Sequence, residues 1–417
     1  GEIMTDIKSM DLDELKTFVK EMNEPEFRAK QLFEWMHKSL ISFFDECTNL
    51  SKAFREKLKE STSLTNLKAV EIFKSKLDGT QKYLFALEDG NIIESVRMKY
   101  EHGNSVCISS QVGCRMGCKF CASTLDGLVR NLSASEMLDQ IYSIQKLLGE
   151  RISNIVVMGS GEPMDNYDNI VKFVKIISSD MGLNISQRNI TVSTCGIVPK
   201  IRALADEGLS ITLALSLHAP NDEIRKTIMP VANKYALKDV ISACDYYFKK
   251  TGRRVSYEYS LVAGVNDSKQ EAYKLIKLIK NQKAHVNLIP VNPIKERDFK
   301  QSDKLKIKAF RDFLEKKLAR SGVAKVVIRK TLKEGEIILF ASKVGVIMGK
   351  NGEKIKALEE ELTKKFGKPF KITIKEVRTP ELSAKIMAEY IASQLEARMP
   401  YRKVVKQVLS RVMEKGA

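Results

Sequence analysis

The stretch Val106-Cys107-Ile108-Ser109-Ser110-Gln111-Val112-Gly113-Cys114-Arg115-Met116-Gly117-Cys118-Lys119-Phe120-Cys121 decides how the chain is read. It ends in a C-x3-C-x2-C run. Three thiolates this close can hold three irons of a [4Fe–4S] cluster and leave the fourth iron open to a small molecule. Gly113 and Gly117 let such a loop wrap tightly. Zinc would call for a fourth Cys or His nearby, and the nearest histidine, His102, lies upstream in what reads as a loop. Three unrelated core cysteines are the bland alternative, which the spacing and the flanking glycines disfavour. The full set is Cys47, Cys107, Cys114, Cys118, Cys121, Cys195 and Cys244, 7 in all. An odd count with no signal-peptide pattern argues against a disulfide framework and for a reducing, cytoplasmic setting.

Working outward from this run, strands and helices alternate. A helix over 134–148 precedes a strand over 154–159, and a helix over 166–181 precedes a strand over 189–193. Helices over 198–207, 237–251 and 268–281 precede strands over 211–216, 254–262 and 286–289. This rhythm predicts an α/β fold with a parallel sheet or partial (β/α) barrel, whose active residues sit at strand C-terminal ends. Upstream, residues 82–87 and 92–98 alternate as strands do, and residues 10–60 read as amphipathic helices, with Asp11 or Asp13 able to cap the first. Downstream, residues 293–303 are polar and Pro-containing. A basic helix over 304–320, strands over 324–330 and 336–342, a Gly-rich loop and further helices come next. The expected domains are therefore 1–70, helical; 71–303, the partial barrel; and 304–417, α+β.

The 417 residues are 43% hydrophobic and 29% charged, which suits globular domains and excludes collagen-like or low-complexity chains. No apolar run reaches membrane-spanning length, so no membrane partner is expected. Lys and Arg number 70 against 52 Asp and Glu, a formal net of +18. Residues 301–417 hold 28 of the basic and 14 of the acidic residues, so the excess sits there, and charge alone suits either a nucleic-acid partner or a solvated surface.

A cysteine triplet with Phe120 before its last member is similar to the mark of radical S-adenosylmethionine (SAM) enzymes. The flanking sequence, from about residue 8 to about residue 331, resembles the RlmN family of dual-specificity rRNA/tRNA adenine-C2 methyltransferases, with the resistance protein Cfr as a cousin. The resemblance rests on Pro25–Gln31, Val106–Cys114, Met158–Asp168, Ser193-Thr194-Cys195-Gly196, Ser216-Leu217-His218-Ala219-Pro220 and Asn287–Pro293. It implies a [4Fe–4S] cluster on Cys114, Cys118 and Cys121. It implies a SAM pocket containing Gly161, Glu162, Ser193, Ser216, Leu217, His218 and Asn292. Gly161 and Glu162 are expected to end a strand, with Glu162 accepting from the SAM ammonium. The resemblance also implies Glu94 as a general base near the adenine and Cys107 as the cysteine that releases a covalent adduct. The substrates implied are 23S rRNA and tRNA, an electron donor such as flavodoxin is expected, and residues 1–70 become an accessory RNA-binding region.

The family's methyl-accepting cysteine belongs in an Asp-x-x-Ala-Ala-Cys-Gly pattern, after a strand resembling Val326–Thr331. Here that strand runs into Lys333–Phe340, and no cysteine occurs beyond Cys244. The remainder of the chain, over about 305–417, resembles a type II KH domain, close to that of the KH protein of the small ribosomal subunit. Its G-x-x-G loop is Gly349-Lys350-Asn351-Gly352, which the resemblance assigns to the backbone of single-stranded RNA, with Lys350 on phosphate. Ribosomal subunits or their assembly intermediates become expected partners. Two further readings stand beside the methyltransferase: an RNA- or ribosome-binding protein with an impaired radical SAM core, and a different radical SAM reaction on RNA.

Overall fold

The computed structural model describes residues 4–417 apart from 77, 101–102, 280–283, 292–293, 295, 297–322, 331–334, 343, 349–351, 367–369, 378, 398 and 416–417. Asn292, Gly349, Lys350, Asn351, the helix expected over 304–320 and the boundary at 303/304 lie outside the described residues. The chain divides into two units, Gly1–Leu275 with Gln282–Gln301, and Ile276–Asn281 with Ser302–Ala417.

The first unit begins with helices α1 (Leu12–Glu21), α2 (Phe27–His37) and α3 (Lys52–Ser61). Asp11 caps α1 by accepting from the amides of Asp13 and Glu14, and Glu14 closes the capping box. A short parallel pairing of β1 (Thr5–Asp6) with β2 (Thr62–Ser63) closes this region. Strands β3 (Lys68–Lys74), β4 (Gln81–Ala86), β5 (Ile92–Tyr100) and β6 (Gly103–Ile108) form an antiparallel meander. The meander leads into β9 (Ile152–Val157), β10 (Ile190–Thr194), β11 (Thr212–Ser216), β12 (Val255–Leu261) and β13 (Ala284–Pro290), each parallel to its neighbour. The nine-stranded order is β13-β12-β11-β10-β9-β6-β5-β4-β3, so β6 to β13 form an open arc of six parallel strands.

Between β6 and β9 lie an antiparallel ribbon, β7 (Gln111–Gly113) with β8 (Leu128–Asn131), and helix α4 (Ala134–Leu148). Helices α5 (Tyr167–Ile177), α6 (Val198–Asp206), α7 (Asp222–Ile228), α8 (Leu237–Thr251) and α9 (Lys269–Ile279) make the remaining crossovers. Along the arc strands buried apolar residues alternate with partly exposed ones such as Val156, Thr191, Ser193 and Ser216, so one face is packed and the other is left more open. The N-terminal helices are locked to the barrel by a buried ion pair. Lys8 Nζ meets Asp139 Oδ1 of α4 at 2.8 Å and also donates to the Thr65 carbonyl.

The second unit is α+β. Strand β14 (Val323–Lys330) pairs antiparallel with β15 (Gly335–Ala341), which pairs parallel with β16 (Phe370–Glu376). The crossover from β15 to β16 contains helices Val344–Met348 and Glu353–Phe366, and helices Ala384–Glu396 and Tyr401–Glu414 lie beyond β16. Leu339, Ala341, Ile347, Ile372, Ile386, Val404 and Val408 form its buried positions.

Candidate active site

The cysteine loop leaves the ribbon at Gly113, whose φ is +72° and whose absent Cβ would lie 2.0 Å from the Gly127 carbonyl oxygen. Only glycine fits there. The Cys114 amide donates to that same carbonyl at 2.8 Å. The Thr124 hydroxyl fastens the far end by donating to the carbonyls of Cys118 (3.0 Å) and Cys121 (2.9 Å). Cys114 and Cys118 are buried and Cys121 is partly exposed. Burial, with the charges of Cys121 and Cys114 behind it, pushes the Cys118 thiol up to about 12. Burial pushes the Cys114 thiol up to about 11, with the charges of Glu162, Cys121 and Asp165 adding to it. Thiols that oppose one another's ionisation in this way are adjacent and gain most from a bound cation, which removes their protons. Cys118 packs in an apolar cluster with Cys195, Ala219, Ile228 and Met229, against Phe120 and Met116. Among the described residues no group of three His, Cys, Asp or Glu side chains is gathered around a single-ion site. What fits a cluster is the donor chemistry, three thiols on one short loop fastened at both ends by the Gly127 carbonyl and the Thr124 hydroxyl.

Strand β9 stops at Val157, so Gly161 and Glu162 do not end a strand as expected. They stand in the loop beyond it, where Glu162 caps the short turn Pro163–Asn166. Gly161 has φ +109°, and a Cβ there would lie 2.6 Å from Gln111 Cβ. Glu162 is 4% exposed. Its Oε1 accepts from the Met164 amide at 3.1 Å and its Oε2 from the Cys195 amide at 2.7 Å. Burial nevertheless holds its carboxyl above the ordinary carboxylate value. The Glu162 amide donates to Gln111 Oε1 at 2.8 Å, and Gln111 Nε2 donates to Asn131 Oδ1 and Asp165 Oδ2. Asp165 also pairs with Arg115 of the cysteine loop. Glu162 and the cysteine loop are thus one connected network. Gln111 and Asp165 fell inside recognised motifs but had no role assigned from sequence.

Ser193 and Ser216 project from neighbouring strands with their hydroxyl oxygens 3.4 Å apart. Leu217 is fully buried, and its amide donates to the Glu258 carbonyl of β12 at 3.0 Å. His218 adopts φ +51°. Its Nδ1 accepts from the Ser260 amide at 2.9 Å, and its ring stands 4.8 Å from Phe120 in an edge-on arrangement. Burial, with the charge of Arg225 behind it, lowers its pKa to about 3, so the imidazole is neutral. Arg225, missed in the sequence, is wholly buried beneath these strand ends. It lies outside the recognised motifs, and no local pattern marks it as an interior residue.

Cys107 pairs with Val96 on one side and Val156 on the other. It therefore lies on the open face of the sheet, between the buried Val106 and Ile108, which face the other way. Glu94 lies on that same face, two residues from Val96. Its Oε2 meets Lys82 Nζ at 3.1 Å, in a half-exposed pair. Burial pushes the Cys107 thiol up to about 11, and the Glu94 charge adds to the shift. The same face continues through Thr191 and Thr212 into a cavity of about 680 Å³, lined also by Met158, Ser256, Glu258, His285 and Asn287. That volume accommodates a nucleoside-sized ligand. Cys195 and Cys244 are 5% and 1% exposed, the latter on α8.

An open arc of βα units with a three-cysteine loop after its first strand defines a radical SAM enzyme, and the Radical SAM superfamily model matches residues 108–276. The Ribosomal RNA large subunit methyltransferase N-terminal domain model matches residues 5–64, and a KH domain model matches residues 309–382. The chain is 64% identical over 313 residues to a probable dual-specificity RNA methyltransferase RlmN of Lachnospira eligens, covering 75% of this chain and 89% of that one. It is 66% identical over 311 residues to the probable dual-specificity RNA methyltransferase RlmN of Lachnoclostridium phytofermentans, covering 75% and 87%. A crystal structure of a radical SAM methyltransferase from Sphaerobacter thermophilus matches with a TM-score of 0.71 and 40% identity, over 75% of this chain and 92% of that one. The chain belongs to the RlmN family of radical SAM RNA methyltransferases. Its cofactors are accordingly a [4Fe–4S] cluster and SAM. Among the described residues no helix is long and apolar enough to cross a membrane.

Proposed function

We propose that this chain methylates C2 of an adenine in 23S rRNA and in tRNA, working in the cytoplasm with an electron donor of the flavodoxin class. The observation that carries the reading is the shared sheet face that holds Glu94 and Cys107 and runs on into the strand-lined cavity. Cys114, Cys118 and Cys121 would hold the cluster. When bound, the cluster would supply the one-electron reducing power that radical chemistry on SAM requires. Glu162, already fixed by two amides, offers its carboxylate to the SAM ammonium, whose charge offsets the cost of burying that carboxylate. Gly161 keeps the backbone close to the ligand. Ser193 and Ser216 present hydroxyls to its polar groups, and the Leu217 and His218 backbone closes the wall. Asn292 is assigned to the same pocket on resemblance alone. Glu94 acts as the general base beside the adenine, and the Cys107 thiol helps release the covalent adduct. The loop Gly349–Gly352 of the KH unit would grip the backbone of single-stranded RNA and favour ribosomal partners.

One observation favours a second reading, an RNA-binding radical SAM protein with a broken methyl relay. No cysteine occurs beyond Cys244 in the sequence, and Cys195 and Cys244 are both buried. The test is anaerobic turnover of reconstituted protein with SAM, reductant and protein-free rRNA. Formation of 5′-deoxyadenosine together with 2-methyladenosine supports methylation. Deoxyadenosine alone supports the broken relay, and neither product from cluster-loaded protein refutes both.

A further inference from the structure

Arg225 is the largest fully buried side chain of the described structure. It sits on α7, behind the strand ends that carry Cys195, Ser216 and Leu217. Its Nε donates to the Leu217 carbonyl at 3.2 Å, and its Nη2 donates to the carbonyls of Cys195 and Ser216. Those carbonyls are neutral, so the guanidinium keeps its full charge. Its Nη1 is buried and has no hydrogen-bond partner among the described residues. A buried guanidinium with an unused donor is costly, and a fold keeps one where a negative charge is to be met. The Cys195 that accepts from Arg225 packs in one buried cluster with Cys118, a member of the cysteine triplet. His218, the other ring facing this space, is neutral and offers no competing charge. Glu162 lies across the loop and is held by amides rather than by Arg225.

We propose that Arg225 is a positioning residue whose fixed positive charge raises the reduction potential of the cluster, while its bonds to the Cys195, Ser216 and Leu217 carbonyls hold the SAM-side strand ends. One-electron reduction, by an external low-potential donor, adds a negative charge to the cluster. A cation buried nearby stabilises that state, because the low-dielectric surroundings transmit its field. The same side chain thus joins the electron-accepting side of the site to the SAM wall. The inference rests on the proposed function only in placing the cluster on Cys114, Cys118 and Cys121.

The test is an EPR-monitored redox titration of reconstituted wild type, Arg225→Gln and Arg225→Lys, with iron content measured for each. Arg225→Gln should lower the reduced-to-oxidised ratio at fixed ambient potential at least tenfold, which is about 59 mV for a one-electron couple. Arg225→Lys loses the forked carbonyl bonds but keeps the charge, so it should load iron and stay within about threefold of the wild-type ratio. An unmoved potential in Arg225→Gln overturns the inference. So does a Lys variant that falls tenfold, or that loses iron along with the Gln variant, since both outcomes fit a merely structural role. Wild type that binds no iron refutes the placement of the cluster instead and leaves a different mark.

Discussion

In the radical SAM unit, Glu162, Arg225, His218 and Glu258 are each at most 7% exposed. Each is fixed by main-chain or side-chain partners in its own unit. In the KH unit no charged side chain is buried among the described residues, and the sequence of residues 301–417 carries 28 basic against 14 acidic residues. The first arrangement suits chemistry, because buried charges act through a low dielectric and move little. The second suits RNA backbone contact, where charges act through solvent and respond to salt. Catalysis and RNA grip should therefore fail separately.

The largest effect is expected for Cys118→Ala. It should abolish cluster incorporation and lower 5′-deoxyadenosine yield by at least about 10³-fold, while RNA affinity measured in a filter-binding assay stays within about twofold. Joint loss of both would mean that cluster and RNA grip depend on one another. Next is Glu162→Gln, which should weaken SAM binding by about 10–100-fold in calorimetry. The wild-type carboxyl has its pKa raised above the ordinary 4.5. SAM affinity should therefore climb as pH rises from 4.5 through that raised value, and this climb should vanish in the Gln variant.

The third prediction concerns acid. His37 and His218 are both pushed down to about 3 by burial. A histidine depressed in the folded state costs stability as pH falls below its unfolded value near 6.5, and continues to do so toward 3. The two should together remove about 3 kcal/mol between pH 7.5 and 5.5, read by urea unfolding of the radical SAM unit's signal. All four histidines lie before residue 302, so the KH unit should show no matching loss. The smallest effect is expected for Gly352→Asp. Its φ is +78°, and aspartate adds a negative charge beside the RNA loop. RNA affinity should fall about three- to tenfold at low salt, with the gap narrowing as salt rises.

Much of the fold was legible because its signals are local. Short β-branched stretches such as Ile155–Val157 mark the parallel strands, and the crossover helices carry their own apolar periodicity, so the βα order could be read from sequence. Helix α7 and the β7–β8 ribbon were not foreseen, since seven- and three-residue elements leave too short a pattern. Cys107 and Glu94 were found by resemblance, yet their common face exists only through the register Val96↔Cys107. Arg225 was invisible for a related reason. Its sequence neighbours Asp222, Glu223 and Lys226 are charged and give no sign of an interior position, and its burial comes from strand ends 8 to 30 residues away. Glu162 was expected at a strand end and stands in a loop five residues past one, because the residues from Met158 to Gly161 turn away to meet Ser110 and Gln111.

The proposal most open to test is that the radical SAM unit acts on an RNA adenine. The most direct measurement is anaerobic turnover of the cluster-loaded full chain with SAM bearing a deuterated methyl group and protein-free rRNA, read by mass spectrometry. The predicted result is 5′-deoxyadenosine together with deuterium-labelled 2-methyladenosine. Cluster-loaded protein that binds SAM and RNA yet leaves both products absent would contradict it.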